Sequence, residues 1–365
     1  MPPCKPCISV SFSVIFSFFF CFTAFAQKEY QFGFDTAIAL PKGAVYSDVK
    51  VIDERPDKES FGTTNNGFRK KKMVTEESFG NSIASFGIHL LRKTGISNNK
   101  TLLIILHQFD VQDHMKGDVV SIYINAEYYL SAGDNKYKLL FVIDDFNESK
   151  TRNIKTEINR MFYSYFDSAS SRNFSENNES KLYTEQEAGN RIETLKRQYP
   201  VYNTDNYKVG VYYTLEQFLN NNPGDTLFRE DDHYVKIGDS PKFYYVDKRG
   251  WRNGRISEKD FFAVYNGKRW FKSTADGSFG MDKINGDFYF KGQKKGLSGD
   301  YNSNTYVVAG GGGIIGTVIV AAVTVAVVNA AESNIKHKEP KKEKIFYLFK
   351  VDPVNKAFIP AKRLQ

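Results

Sequence analysis

TLLIILHQFDVQDHMKGDVVSIYINAEYYLSAGDNKYKLLFVI, residues 101–143, decides the fold class of the first half of the chain. Thr101 to Leu106 is a continuous apolar run of strand length. Asp118 to Leu130 alternates, with Val120, Ile122, Ile124, Ala126, Tyr128 and Leu130 on one face. Ser131-Ala132-Gly133-Asp134-Asn135 turns the chain back into Tyr137 to Ile143, so these runs form a hairpin. Upstream, Val45 to Asp53 alternates as another strand, which Pro56 brings to an end. A polar loop carrying Arg69-Lys70-Lys71-Lys72 is expected from there to about Thr75. Phe79, Ile83, Phe86, Leu90 and Leu91 then recur at helical spacing, closed by Lys93 and Gly95, and Ile154, Ile158, Met161, Phe162, Tyr165 and Phe166 mark a second helix. Residues 27–170 are therefore expected as an α+β domain, an antiparallel sheet with packed helices.

Outward from that block, residues 171–205 read as a linker and a connecting helix, in which Thr184 and Glu187 form a capping box and Pro200 follows the helix end. Residues 206–300 change to Tyr, Phe, Gly, Asn and Asp with short strands, a β-rich second domain. Thr214 caps a short helix there, and Asn266-Gly267 between Phe261–Tyr265 and Lys268–Phe271 is a hairpin turn. Residues 332–365 form a basic tail, in which Ile345 to Lys350 and Ala357 to Pro360 read as a hairpin about Asp352-Pro353.

Residues 1–26 have the three parts of a cleavable secretory signal: Lys5, the apolar stretch Val14 to Phe22, and Ala24-Phe25-Ala26 before Gln27. Cleavage there lowers the formal net charge of +8 by one and removes Cys4, Cys7 and Cys21, leaving no cysteine. Disulfides, thiol catalysis and cysteine metal sites are thereby excluded. The basic residues are dispersed among nearly as many acids, and export removes the usual partner, so nucleic acid is not expected.

The uncharged segment VVAGGGGIIGTVIVAAVTVAVVNAA, residues 307–331, would be about 37 Å long as a helix, enough to cross a bilayer. Gly312 and Gly316, Gly313 with Ala309, and Ala322 with Ala326 place small residues one turn apart, the spacing of a helix-packing face that supports homo-oligomers. Lys336, Lys338, Lys341, Lys342 and Lys344 supply the positive cytoplasmic flank. The first reading is thus a C-terminal transmembrane helix. The second is an apolar element belonging to the second domain. The tail decides between them: if its hairpin pairs with the second domain, the apolar run cannot cross a bilayer once.

Two resemblances accompany this reading. Val51-Ile52-Asp53-Glu54-Arg55, a loop, an amphipathic helix ending at Gly95 and three strands resemble the small α+β domains of periplasmic lipoproteins related to transport auxiliary and outer-membrane assembly factors, over about a third of the chain. Phe18-Phe19-Phe20 before Cys21 departs from the lipidation motif of those proteins. The stretch Gly210 to Pro223, with Phe262 to Lys268 and Tyr347 to Asp352, is similar to an uncharacterised module of exported Bacteroidetes envelope proteins. The first resemblance implies a periplasmic α+β domain; the second implies no chemistry.

Candidate chemistry is sparse. His107, Asp110, Asp113 and His114 carry ligating groups, but strand alternation puts His107 and Asp113 on one face and Asp110 and His114 on the other. Asp144 and Asp145 point to opposite faces, and Glu230-Asp231-Asp232-His233 lacks the spacing of a calcium loop. Asp53 and Arg55 share a face and can pair. Tyr245, Trp251, Tyr265 and Trp270, with Tyr244 and Phe271, are the candidate aromatic platform for a glycan or peptide. No catalytic, cofactor-binding or metal-ligating residue is assigned and no cofactor is expected. The expectation is a non-enzymatic, membrane-anchored protein of the cell envelope with a binding or assembly role and an envelope protein or glycan as partner. A soluble or surface-attached glycan- or protein-binding module and an exported hydrolase are the alternatives.

Overall fold

The computed structural model describes residues 29–35, 37, 44–66, 69–92, 99–114, 119–150, 153–171, 181–231, 241–274, 277–293, 345–354 and 356–364. The signal segment, the apolar run with Gly312, Gly313, Gly316, Ala322 and Ala326, and the lysine flank lie outside the described residues.

The first unit is an eight-stranded sheet. Its strands are β1 (Glu29–Phe32), β2 (Asp48–Asp53), β3 (Gly62–Asn66), β4 (Arg69–Thr75), β5 (Thr101–His114), β6 (Val119–Gly133), β7 (Lys136–Lys150) and β8 (Leu182–Thr184), in the order β1-β4-β3-β5-β6-β7-β8. β2 lies parallel to the first half of β5 and β3 parallel to its end, so the sheet is mixed rather than antiparallel. The expected polar loop is the β3–β4 hairpin, and the basic run Arg69 to Lys72 belongs to a strand. Gly62, with φ at 143°, starts it: a Cβ there would meet the Val111 carbonyl at 2.2 Å, so only glycine lets β3 lie against β5.

α1 (Phe79–Arg92) and α2 (Ile154–Ser171) cover one face of this sheet. Their periodic residues Phe79, Ile83, Phe86, Leu90, Ile158, Phe162 and Phe166 interlock with Leu102, Ile104, Leu106, Ile122, Ile124 and Ala126. On the opposite face, α3 (Glu185–Gly189) and α4 (Arg191–Lys196) lie over Leu103, Ile105 and Tyr129. Thr184 and Glu187 make the reciprocal capping box that opens α3.

The second unit has a seven-stranded antiparallel sheet. β9 (Gly210–Tyr212), β13 (Ala263–Tyr265), β14 (Trp270–Thr274), β15 (Gly277–Ile284), β16 (Asp287–Gly292), β17 (Phe346–Asp352) and β18 (Ala357–Leu364) run in the order β18-β17-β16-β15-β14-β13-β9. Tyr212, Phe218 of α5 (Leu215–Leu219), Trp270, Phe288, Phe290, Phe349 and Phe358 fill one face. The three-stranded sheet β10 (Phe228–Glu230), β11 (Phe243–Val246) and β12 (Arg252–Ile256) packs Phe243 and Ile256 against Val264 and Phe271 on the other. The Asn266-Gly267 turn joins β13 to β14, with Gly267 at φ 88°.

Two expectations are corrected. Among the described residues strand predominates so strongly, with eighteen strands and three of five α-helices only five or six residues long, that the fold is mostly β rather than α+β. The helices are sheet covers, not an equal layer. The C-terminal transmembrane reading also falls. Among the described residues no helix is long and apolar enough to cross a membrane. β17 pairs with β16, Gly292 opposite Tyr347, and forms with β18 the expected tail hairpin. The chain therefore leaves the second sheet and rejoins it at the next strand, which a single crossing to a cytoplasmic tail forbids.

Candidate ligand cleft where the two sheets meet

The β5–β7 face left open by α3 and α4 receives the second sheet. Tyr123, Phe146, Tyr289, Leu348, Ile359 and Ala361 form the apolar part of this contact. Its polar part is sealed. Lys350 Nζ lies 3.9 Å from Asp144 and 3.6 Å from Asp287, and Lys196 lies 2.7 Å from Asp287. The Tyr123 hydroxyl donates to Asp144 at 2.8 Å. Burial pushes the Asp144 carboxyl up to about 7, against the pull of Lys350. Burial opposes the Lys350 charge, but Tyr123, Asp144 and Asp287 outweigh it and raise the amine well above its usual range. Nearby, Glu148 accepts from the Tyr347 hydroxyl at 2.9 Å and from Arg363 at 3.2 Å.

Where this contact reaches the surface, a half-open cleft of about 380 Å³ is lined by Thr63, Lys70, Asp110, Gln112, Asp113, His114, Lys362, Arg363 and Leu364. Its walls come from β3, β4 and β5 of the first unit and β18 of the second. Gln112 donates to Asp110 Oδ2 at 2.6 Å. Burial lifts the Asp110 carboxyl above its usual range, partly offset by Gln112 and Lys362. Asp113 accepts from the Asn65 backbone at 2.9 Å and from the Thr64 hydroxyl at 3.3 Å. His114 Nε2 sits 2.8 Å from the Ser121 hydroxyl, and burial and then Arg363 lower its pKa, so the ring stays neutral near pH 7. Lys70 and Lys362 are exposed and make no hydrogen bond or ion pair among the described residues. A larger hollow of about 480 Å³ beside the start of α2 is lined by the first unit alone, with Asn159 accepting from the Asp35 backbone and donating to the Lys155 carbonyl, both at 2.7 Å, whereas the junction cleft draws charged groups from both units. The junction cleft is therefore the better candidate.

A second charged cluster lies under α3 and α4. Glu127 is fully buried, and it accepts from Arg191 and from the Tyr129 hydroxyl at 2.7 Å. His107 Nδ1 is 3.1 Å from Glu54, and its Nε2 is 3.6 Å from Glu127, an ion-pair distance rather than a hydrogen bond. Burial opposes its charge, yet Glu127 and Glu54 prevail and hold the His107 pKa above the ordinary value. This cluster clasps the α3–α4 strap to β2, β5 and β6.

The residues singled out above are placed as follows. A bulge between Leu106 and Gln108 makes His107 an extra residue on β5 and inverts the alternation beyond it. His107, Asp110 and His114 consequently share a face and Asp113 turns to β3. Among the described residues no group of three His, Cys, Asp or Glu could hold a metal. Arg55 pairs with Asp53 at 2.8 and 2.9 Å and lies over Phe79, a strand-end contact. Asp144 faces the second sheet.

Of the aromatic set, Tyr265 and Trp270 touch, at 5.0 Å between ring centres, within the seven-stranded sheet's core. Tyr245 packs on the opposite core with its hydroxyl 3.5 Å from that of Tyr213. Trp251 is 71% exposed at the β11–β12 turn, where Arg252 stacks over Tyr244 at 4.4 Å. The four side chains are not brought onto one surface. Gln112, Lys362 and Arg363 were not singled out in the sequence. The signal that could have found them is the tail hairpin, whose pairing with the second domain carries residues 362–364 to the end of β5.

No protein-family model matches the chain, and no curated protein matches it. Among solved structures it is similar to one described as "Crystal structure of uncharacterized protein", at 12% identity over 40% of this chain and 94% of that one, with a TM-score of 0.20. That score is too low to bear on fold or function.

Proposed function

We propose that this is an exported, non-enzymatic binding protein of the cell envelope that takes a small polar ligand in the junction cleft. The observation that carries the reading is the cleft itself: a hollow in the size range of small-molecule sites, with hydrogen-bonding and charged groups converging from both units. The signal-like residues 1–26 support export. Because β18 supplies one wall and β5 another, an occupant bridges the two sheets, and binding stabilises the whole fold by mass action. Thermal unfolding of the full chain against a panel of amino acids, neutral sugars, carboxylates and sugar phosphates tests this. At least one class should raise the midpoint in the parent, and less so in Gln112→Ala; a panel without effect contradicts the reading.

Trp251 favours a second reading, contact with a glycan or protein partner at the β11–β12 turn. A ring 71% exposed beside a stacked arginine is the usual makeup of an anchoring contact. Loss of partner or glycan retention in Trp251→Ala, with Gln112→Ala unaffected, would place recognition there instead.

A further inference from the structure

Resting on the cleft reading above, we infer that the occupant of the junction cleft is a small hydroxylated molecule carrying an oxyanion, a phosphate monoester or a carboxylate, with the oxyanion seated by Lys70 and Lys362. The two amines come from different units, β4 and β18, and open onto one hollow. Neither makes a hydrogen bond or ion pair among the described residues, whereas the other cationic group of the lining, Arg363, is held by Glu148. Both carboxylates are partly satisfied: Asp113 Oδ2 accepts from the Asn65 backbone and from the Thr64 hydroxyl. Asp110 has one oxygen bonded to Gln112, and no hydrogen bond to its other oxygen is made among the described residues. The lining thus carries three cationic groups, Lys70, Lys362 and Arg363, against two carboxylates, and burial biases Asp110 toward its neutral form.

The same inventory argues for hydroxyl groups on the ligand. The Asp110–Gln112 pair offers an acceptor and an amide side by side, the arrangement that reads a polyol. The described lining holds no Phe, Tyr or Trp, and its one ring, His114, is buried against Ser121, so a neutral sugar would lack an open ring face to stack on. Charge rather than stacking must supply the affinity. Solvated lysines are the ordinary reading of exposed cations; here two of them line one hollow from two separate sheets.

The test is calorimetric titration of the full mature chain at pH 7 with a hexose phosphate, the corresponding hexuronate and the neutral hexose, at low and at high salt. At least one anionic sugar should bind at a single site roughly tenfold or more tighter than the neutral one, and more weakly at high salt. Lys70→Ala and Lys362→Ala should each weaken it about tenfold and flatten the salt dependence. Lys71→Ala, next along β4 but outside the lining, should not. Both tested lysines are exposed, so folding is not at risk. Which anion binds separates phosphate from carboxylate. Equal binding of the neutral hexose overturns the inference and leaves the cleft as a binding site. Anion binding indifferent to Lys70 and Lys362 overturns it as well. Failure of both anionic sugars does so too, and only silence across the wider panel would remove the cleft reading itself.

Discussion

Lys272 places an amine inside the aromatic core of the seven-stranded sheet. Its Nζ lies 4.4 Å from the ring centre of Phe262, 5.0 Å from that of Phe358 and 5.6 Å from that of Phe290, and it donates to the Ser273 carbonyl at 2.6 Å. Burial pushes the amine down to about 7 from its ordinary 10.5. The unfolded chain then holds more protons than the folded one between those values, so this residue makes stability rise with pH across that window. Lys272→Met should be more stable than the parent at pH 6, by ~1–4 kcal/mol, with the gap closing toward pH 10. Urea unfolding at pH 6, 8 and 10 measures it; equal gaps at all three would contradict the account. Nothing in Trp270-Phe271-Lys272-Ser273-Thr274 marks the lysine as interior. All five residues of this interior strand are buried, because α5 and its aromatic core cover one face and the three-stranded sheet covers the other.

At the scale of elements, the α3–α4 strap is held by the Glu127 cluster more than by apolar area, since Ala188 is its one fully buried apolar contact in that core. His107 has a raised pKa, so its contribution is complete below the ordinary histidine value and is lost as pH climbs through the raised one. His107→Gln should therefore cost ~1–2 kcal/mol of local stability at pH 6 and progressively less at alkaline pH. Amide exchange over residues 182–196 reads this directly, and unchanged protection at pH 6 would contradict it. The elements themselves were largely legible: the β6–β7 hairpin, both covering helices, the two capped short helices and the tail hairpin follow from periodicity and turn chemistry. The bulge at His107 was not. A single inserted residue leaves no trace in composition, yet it reverses which of His107, Asp110, Asp113 and His114 share a face. The cleft was illegible for a related reason: its walls, at residues 63–70, 110–114 and 362–364, are brought together only by tertiary pairing.

For the molecule as a whole, the contact between sheets depends on Lys350, which neutralises Asp144 and Asp287 in a sealed interior. Lys350→Met would remove the cation beside Asp144 in this interior, while Asp287 keeps Lys196 at 2.7 Å. The expected loss is ~3–5 kcal/mol at pH 8 and clearly less at pH 5, where Asp144, with its value near 7, takes up a proton. Chemical denaturation at the two pH values, followed by tryptophan fluorescence, checks the sign. The mostly β character of the whole is hidden in the sequence, because two amphipathic helices carry strong periodicity whereas strands of three to five residues are too short for alternation to show.

Gly292 and Tyr347 stand opposite each other on neighbouring strands, so the stretch between them is cinched at its neck to about one strand spacing, roughly 4.8 Å. Excising 294–344 and bridging the neck with a turn of about four residues should keep every register of the sheet. An unchanged circular-dichroism spectrum would show that the β16–β17 pairing holds whatever joins the two strands, whereas unfolding on excision would show that the sheet needs what the span contains.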